Sequence, residues 1–177
     1  MTQTTQTVQE VTIPMASGLR ASLHRVDFAD AYEVLLNDPS MQVSHAYWAV
    51  FGSEPVWVSW LMRLRGRIAV CFGLAHPFNM ARISVGSVPL FEAGLRAGPF
   101  MVQSISDCEL IVGDDDKHLN FRISTFKSQR DGQSFVTIAT AVQIHNVLGR
   151  AYMLFVKPFH RFIAPFMVRR AVRLSKL

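Results

Sequence analysis

The sequence is poor in cysteine, in charge and in long apolar runs, and each shortage removes a class of protein. Two cysteines in 177 residues exclude a disulfide framework. Cys71 and Cys108 share neither C-x-x-C spacing nor a neighbouring histidine ladder, so both are expected to be reduced, buried thiols. No run of 18 uncharged apolar residues occurs, which excludes an ordinary membrane span. The nearest approach, Ala151 to Val168, is interrupted by Lys157, His160, Arg161 and two prolines, so a core helix is expected there. Residues 1–10 are polar and lack an apolar signal core, and a cytoplasmic protein is the expectation. Charged residues make up only 18% of the chain and apolar ones 50%, which excludes disorder and provides enough apolar surface for one globular domain. Residues 1–24 are expected to be a mobile arm and 25–177 a single domain.

What charge there is lies unevenly. Eighteen basic residues against 13 acidic ones give +5. From Lys157 to Lys176 there are six basic residues and no acid, whereas Asp114, Asp115 and Asp116 stand together. The plain reading is a basic helix end and an acidic loop, with an anionic membrane surface as the functional alternative. Nucleic acid is not expected, because the aromatics between those charges recur at helical spacing rather than as a base-stacking platform. A mean hydropathy of +0.21 is high for a soluble domain of this size. It points to a homodimer, formed through residues 83–100 or an exposed strand edge.

The local patterns give an order of elements. Phe28 to Leu36 reads as a strand ended by Asn37-Asp38-Pro39, Met41 to Phe51 as a helix closed by Gly52, and Ser53 as the N-cap of a helix reaching Phe72 and ended by Gly73. Ile83 to Leu95 suggests short strands between glycines and prolines. Ser104 to Val112 and His118 to Phe126 form a hairpin around the polar turn 113–117. Leu119, Phe121 and Ile123 then face inward, and His118, Asn120, Arg122 and Ser124 form a solvated face. After the turn at Arg130-Asp-Gly132, Phe135 to His145 is a third strand, with Val136, Ile138, Thr140, Val142 and Ile144 inward. Leu148, Tyr152, Phe155, Phe159, Phe162 and Phe166 recur at steps of four and three. They predict one long helix, Val147 to Leu174, bent or broken at Pro158 and Pro165.

This order, a strand, two helices, an antiparallel meander and one long aromatic-striped helix, is that of an α+β helix-grip fold. Four segments sharpen it: Asp30-Ala-Tyr32, Trp57-Val-x-x-Leu-Met-x-Leu-Arg65, Asp115-Asp-Lys-His-Leu-Asn-Phe-Arg122, and His145-Asn-x-x-Gly-Arg-x-Tyr152 followed by Pro158-Phe-His-Arg161. Through them the chain resembles a domain-of-unknown-function family often fused behind short-chain-dehydrogenase-like nucleotide-binding domains and grouped with the START-like, polyketide-cyclase-like proteins. The resemblance implies a cavity between a curved sheet and the terminal helix for an apolar or amphipathic small molecule, with no catalytic residue to carry over. No G-x-G-x-x-G is present, so neither a nucleotide domain nor a cofactor is expected.

The expected cavity wall is Phe121, Ile123, Ile138, Val142 and Ile144 from the sheet and Tyr152, Phe155, Phe159 and Phe162 from the helix, with Arg150 or His160 at a polar end. The competing reading is that these aromatics simply fill the core. Asn146 is expected to cap the long helix, Gly149 to allow its close packing, and the helix start with Arg150 to offer an anion site. An enzyme of the same fold, a cyclase, dehydratase or isomerase, would need a titratable group facing the cavity. His118 with Asp116 or Asp107 is one acid–base candidate, but alternation places it outside. The histidines are too far apart in sequence for a metal set, and the aspartates lack the spacing of a calcium loop. A third reading is an interaction module that docks a partner or an anionic membrane through the basic helix.

Overall fold

The computed structural model describes residues 6–52, 55–71, 91–174 and 176–177, apart from the side chains of 59, 62, 65 and 68–71. The expected cap at Ser53, the helix stop at Gly73 and most of the short strands placed over 83–95 lie outside them. The architecture is α+β, as expected. Among the described residues seven strands form one antiparallel sheet in the order β1-β2-β7-β6-β5-β4-β3. They are β1 (Gln9–Glu10), β2 (Phe28–Leu35), β3 (Arg96–Ala97), β4 (Phe100–Ile105), β5 (Glu109–Asp115), β6 (Leu119–Arg130) and β7 (Gln133–Ile144). Among the described residues three helices, α1 (Val43–Phe51), α2 (Val56–Cys71) and α3 (Val147–Arg173), accompany the sheet.

Alternation along β2, β5, β6 and β7 sorts side chains to two faces. Tyr32 and Val34 of β2, Leu110 and Val112 of β5, Ile123 of β6 and Val136 and Ile138 of β7 meet Tyr47 and Val50 of α1 and Met167, Val168 and Ala171 of α3 in one core. A neighbouring cluster joins Phe28, Leu119 and Val142 to Tyr152 and Met153. The inward set expected on the third strand therefore does face the helices. Asp131 and Gly132, both at positive φ, turn β6 into β7 where the turn was expected.

The opposite face is covered too, which corrects two expectations. The stretch expected as a mobile arm lies on the sheet. Val11 donates its amide to Ala31 O at 2.9 Å, and Ile13, Leu19 and Leu23 pack on Ala31, Ile111, Ala139 and Ala141. Leu19 is fully buried. The face expected to be solvated consequently holds buried polar groups, Arg122 and Ser124 among them. The buried Glu109 carboxylate accepts from Ser17 Oγ (2.5 Å), from the Gly18 amide (2.8 Å) and from Ser124 Oγ, while Arg122 pairs with Asp115 at 2.7 Å. Burial of such groups is tolerable because each has partners.

Two further corrections concern strand limits. Ser104 to Val112 is not one strand. A turn held by Ser106 N to Glu109 O at 2.8 Å divides β4 from β5. Gly113, Asp114 and Asp115, expected in a loop, are part of β5. At Gly113 a Cβ would collide with the Phe121 carbonyl oxygen, so a side chain there would push the β5–β6 pair apart. Cys108, expected to be buried, is exposed. The side chain of Cys71 lies outside the described residues.

Helix α3 is one continuous helix through Pro158 and Pro165, about 40 Å long at 1.5 Å per residue. Each proline removes one hydrogen bond, to Leu154 O and Arg161 O, yet the packed face holds the helix through both. Its cap is the expected one: Asn146 Oδ1 accepts from the Gly149 amide at 3.0 Å. A Cβ on Gly149 would collide with the His118 carbonyl oxygen, so only glycine permits this approach of helix to sheet.

Candidate functional site

The face that α3 turns inward differs from the one the phenylalanine spacing suggests. Gly149, Tyr152, Met153, Pro165, Met167, Val168 and Ala171 are its buried residues. Phe155, Phe159 and Phe162 are 48%, 45% and 66% exposed. Both stripes have helical period, and a helix advances about 100° per residue, so a shift of one position rotates the face away from the sheet. At its closest approaches to the sheet the packed face carries small or adaptable side chains. Gly149 abuts backbone, Met153 and Met167 fill uneven gaps, and a row of phenyl rings would hold the helix off the sheet.

The expected wall is therefore not brought together. Ile123, Ile138, Val142 and Tyr152 are core residues with at most 8% of their surface exposed. Phe121 packs on both clusters and edge-on against Phe100 (5.4 Å between centroids), and Ile144 is half-buried. Phe155, Phe159 and Phe162 lie on the other side of the helix. A cavity of about 380 Å³ does occur, but at the β1–β2 end of the sheet. Gln6, Gln9, Glu33, Leu35, Arg130 and Phe135 line it, and none of the expected wall residues does.

Outward from the core, α3 presents an apolar ridge. Val147 and Leu154 are 77% and 80% exposed. With Phe155, Pro158 and Phe162, all exposed, they run along the solvent side of its first four turns. Trp57 of α2 packs beside the ridge, 6.4 Å from the Phe162 ring and 5.0 Å from Phe166, and Trp60 is 57% exposed. Arg150, Lys157 and Arg161, spaced seven and four apart, fall on one flank of the same helix and are exposed. Six of the chain's 18 basic residues and none of its 13 acidic ones lie in α3, so the remainder of the chain is close to neutral. The basic helix read from the sequence is thus basic along one side of an apolar crest.

The polar candidates divide. His118 Nδ1 lies against the Asn146 side-chain amide, 3.1 Å from Oδ1 and 2.9 Å from Nδ2, and its backbone amide donates to Asp116 Oδ1 at 3.3 Å. Its ring thus meets an amide, not the carboxylate that an acid–base pair requires. His145 Nε2 meets Asn120 Oδ1 at 3.0 Å at the surface. Near Arg150, at the start of α3, stands the chain's own Asp27. Arg25 binds that carboxylate at 2.8 Å, and it accepts the Ile144 amide at 2.7 Å. The Arg25 hydrogen bond holds Asp27 below the usual carboxylate range; burial opposes it, and the Ile144 amide and the charges of Arg25 and Arg150 each add a smaller lowering.

His160 is different. It meets a carboxylate from another element: Nε2 lies 3.3 Å from Asp30 Oδ1 and 3.2 Å from Oδ2. The Asp30 side chain is 4% exposed and the His160 side chain 27%. Asp30 escaped the sequence reading. Its signal was an acid at the position between Phe28 and Tyr32, where alternation demands an inward side chain. Two of the four segments that carry the family resemblance, Asp30-Ala-Tyr32 and Pro158-Phe-His-Arg161, meet at this pair.

Among the described residues no group of three or more His, Cys, Asp or Glu side chains could hold a metal ion, and no helix is long and apolar enough to cross a membrane. No curated protein matches the chain. No solved structure matches it either. Residues 22–167 match the model of a family described as "Protein of unknown function (DUF2867)", a span reaching from the segment that covers the sheet to the last turns of α3, and the chain belongs to that family.

Proposed function

We propose that the protein docks on an anionic membrane surface through the outward ridge of α3. One observation carries this reading: the solvent side of the helix is apolar where a soluble helix is ordinarily polar, and a row of basic residues runs beside it with no acid on the helix. Exposed apolar side chains in such a row mark an interaction surface. Phe155, Phe162 and Leu154 would enter the acyl boundary while Arg150, Lys157 and Arg161 meet lipid phosphates. Each basic side chain near an anionic surface contributes about 1 kcal/mol, so the three together favour anionic over neutral lipid by roughly 100-fold. An anionic surface on the cytoplasmic side is compatible with the exposed free thiol of Cys108, which a reducing compartment would keep reduced.

Co-sedimentation with vesicles tests this. Vesicles of mixed phosphatidylserine and phosphatidylcholine should pellet the protein, and pure phosphatidylcholine should not. Phe162→Glu with Leu154→Glu should abolish pelleting while leaving the fold intact. A dimer whose formation those two changes prevent would instead assign the ridge to a second copy of the chain. Pelleting unaffected by the changes would remove the proposal.

A second reading, an amphipathic small molecule bound at the flank of α3 in a START-like, helix-grip fold, is favoured by the Asp30–His160 pair. It gives the otherwise apolar contact between α3 and β2 a polar end. The antiparallel sheet followed by one long C-terminal helix supports that fold assignment.

A further inference from the structure

Glu33 is a buried carboxylate whose hydrogen bonds stop short of its capacity. Its side chain is 9% exposed, and it accepts one bond on each oxygen, from Arg130 Nη2 at 2.6 Å and from Thr137 Oγ1 at 3.3 Å. An ionised carboxylate can accept about four. Glu33 lines the cavity of about 380 Å³ at the β1–β2 end of the sheet, a volume at the lower end of small-molecule sites. Alternation builds this site on one face. Glu33 and Leu35 of β2, Phe135 and Thr137 of β7 and Arg130 of β6 lie opposite the Val34 and Val136 side, and the register pairs Gln9 of β1 with Glu33, so the Gln9 side chain joins them. Arg130 reaches across β7, its guanidinium carbon 4.3 Å from the centre of the Phe135 ring, and holds Glu33 through Nη2 alone. Its Nη1 and Nε, and the side-chain amide of Gln9, have no hydrogen-bond partner among the described residues.

We propose that this cavity binds a free α-amino acid with an apolar side chain. Carboxylate and guanidinium stand one hydrogen bond apart, so a simple anion is repelled by Glu33 and a simple cation by Arg130. An α-amino acid carries an ammonium and a carboxylate on one carbon and matches both. Its ammonium donates to the remaining lone pairs of Glu33, and its carboxylate accepts from the unpartnered edge of Arg130, so that four charges alternate in sign. The Gln9 amide supplies a further donor to that carboxylate. The ligand's side chain then lies against Leu35 and Phe135, the apolar part of the lining. A planar base is not the occupant this site favours, because Arg130 already covers one face of the Phe135 ring. The site shares no residue with the outward ridge of α3, so neither proposal depends on the other.

The test is isothermal titration of the full chain at neutral pH with four probes that share one side chain: L-leucine, leucinamide without the carboxylate, N-acetyl-leucine without the ammonium, and N-acetyl-leucinamide without either. Leucine is expected to bind at one site, and leucinamide and N-acetyl-leucine each at least about tenfold more weakly, the effect of losing one charged hydrogen-bonded contact. N-acetyl-leucinamide should give no measurable heat. Arg130→Met should erase the advantage of leucine over leucinamide, and Glu33→Gln its advantage over N-acetyl-leucine. Because Glu33 is buried and its variant risks misfolding, Arg130→Met, at a position half exposed to solvent, decides on its own. No saturable binding of leucine at millimolar concentration would overturn the proposal. So would equal binding of leucine and either singly charged probe, or a preference for leucine over leucinamide that survives Arg130→Met.

Discussion

Replacing Phe162 by alanine separates the two orientations of α3 that its sequence permits. In the structure this side chain is 66% exposed, so only about a third of its surface leaves water on folding. Fully burying a phenylalanine contributes roughly 1.5–3 kcal/mol, and a third of that is about 0.5–1. The ring neighbours Trp57 and Phe166, each 6.4 Å away, contribute roughly another 0.5 kcal/mol at such partly solvated contacts. The expected cost of Phe162→Ala is thus about 1–1.5 kcal/mol. If the phenylalanine stripe faced the sheet, the same change would open a core cavity and cost about 3–5 kcal/mol. Met167, 5% exposed and five residues further on, serves as the internal standard, with Met167→Ala expected to cost about 2–5 kcal/mol. Urea denaturation followed by circular dichroism reads both. In thermal melts the expected shifts are roughly 2–6 °C for Phe162→Ala and 4–20 °C for Met167→Ala. A Phe162→Ala cost of 3 kcal/mol or more, equal to or above that of Met167→Ala, would refute the orientation and with it the ridge.

Two further predictions concern the rest of the fold. Leu19→Ala is expected to cost about 2–5 kcal/mol, because Leu19 is fully buried against the sheet; a change under 0.5 kcal/mol in urea denaturation would return residues 6–24 to the status of a mobile arm. Burial pushes the Tyr47 hydroxyl well above the ordinary tyrosine range, and Asp114 adds a smaller push in the same direction. The folded protein therefore holds this proton more tightly than the unfolded chain. Stability from Tyr47 is fully present below about pH 10 and declines above it. Tyr47→Phe should flatten the alkaline limb of a stability profile measured between pH 8 and 11.5, and an unchanged limb would contradict the burial argument.

The sheet was legible because alternation is a local signal. β2, β6 and β7, the turn at Asp131-Gly132, and the inward set Val136, Ile138 and Val142 all follow from a period of two and a few turn residues. The Asn146 cap was legible for the same reason. What escaped was decided between elements. The N-terminal segment carries Ile13, Leu19 and Leu23 without clear periodicity, so nothing local announces that it covers a sheet face. Once that cover is missed, Arg122, Ser124 and Glu109 look solvated. The rotation of α3 escaped because Met153, Gly149 and Ala171 are weaker apolar signals than phenylalanine. Contact with the sheet selects for size and fit rather than for hydrophobicity alone. Of the paired residues, His160 stood out in the sequence as a polar group on the long helix, and its partner Asp30 did not, since 130 residues separate them.

The most direct test of membrane docking places a reporter in the ridge itself. The variant carries Phe162→Trp with Trp57→Phe and Trp60→Phe, and Trp48, packed against the core, supplies a constant background. Vesicles containing phosphatidylserine and lipids brominated along the acyl chain should quench the emission of the introduced indole, and neutral vesicles of the same bromine content should not. Quenching in both kinds of vesicle, or in neither, would contradict docking by an apolar ridge steered by basic side chains.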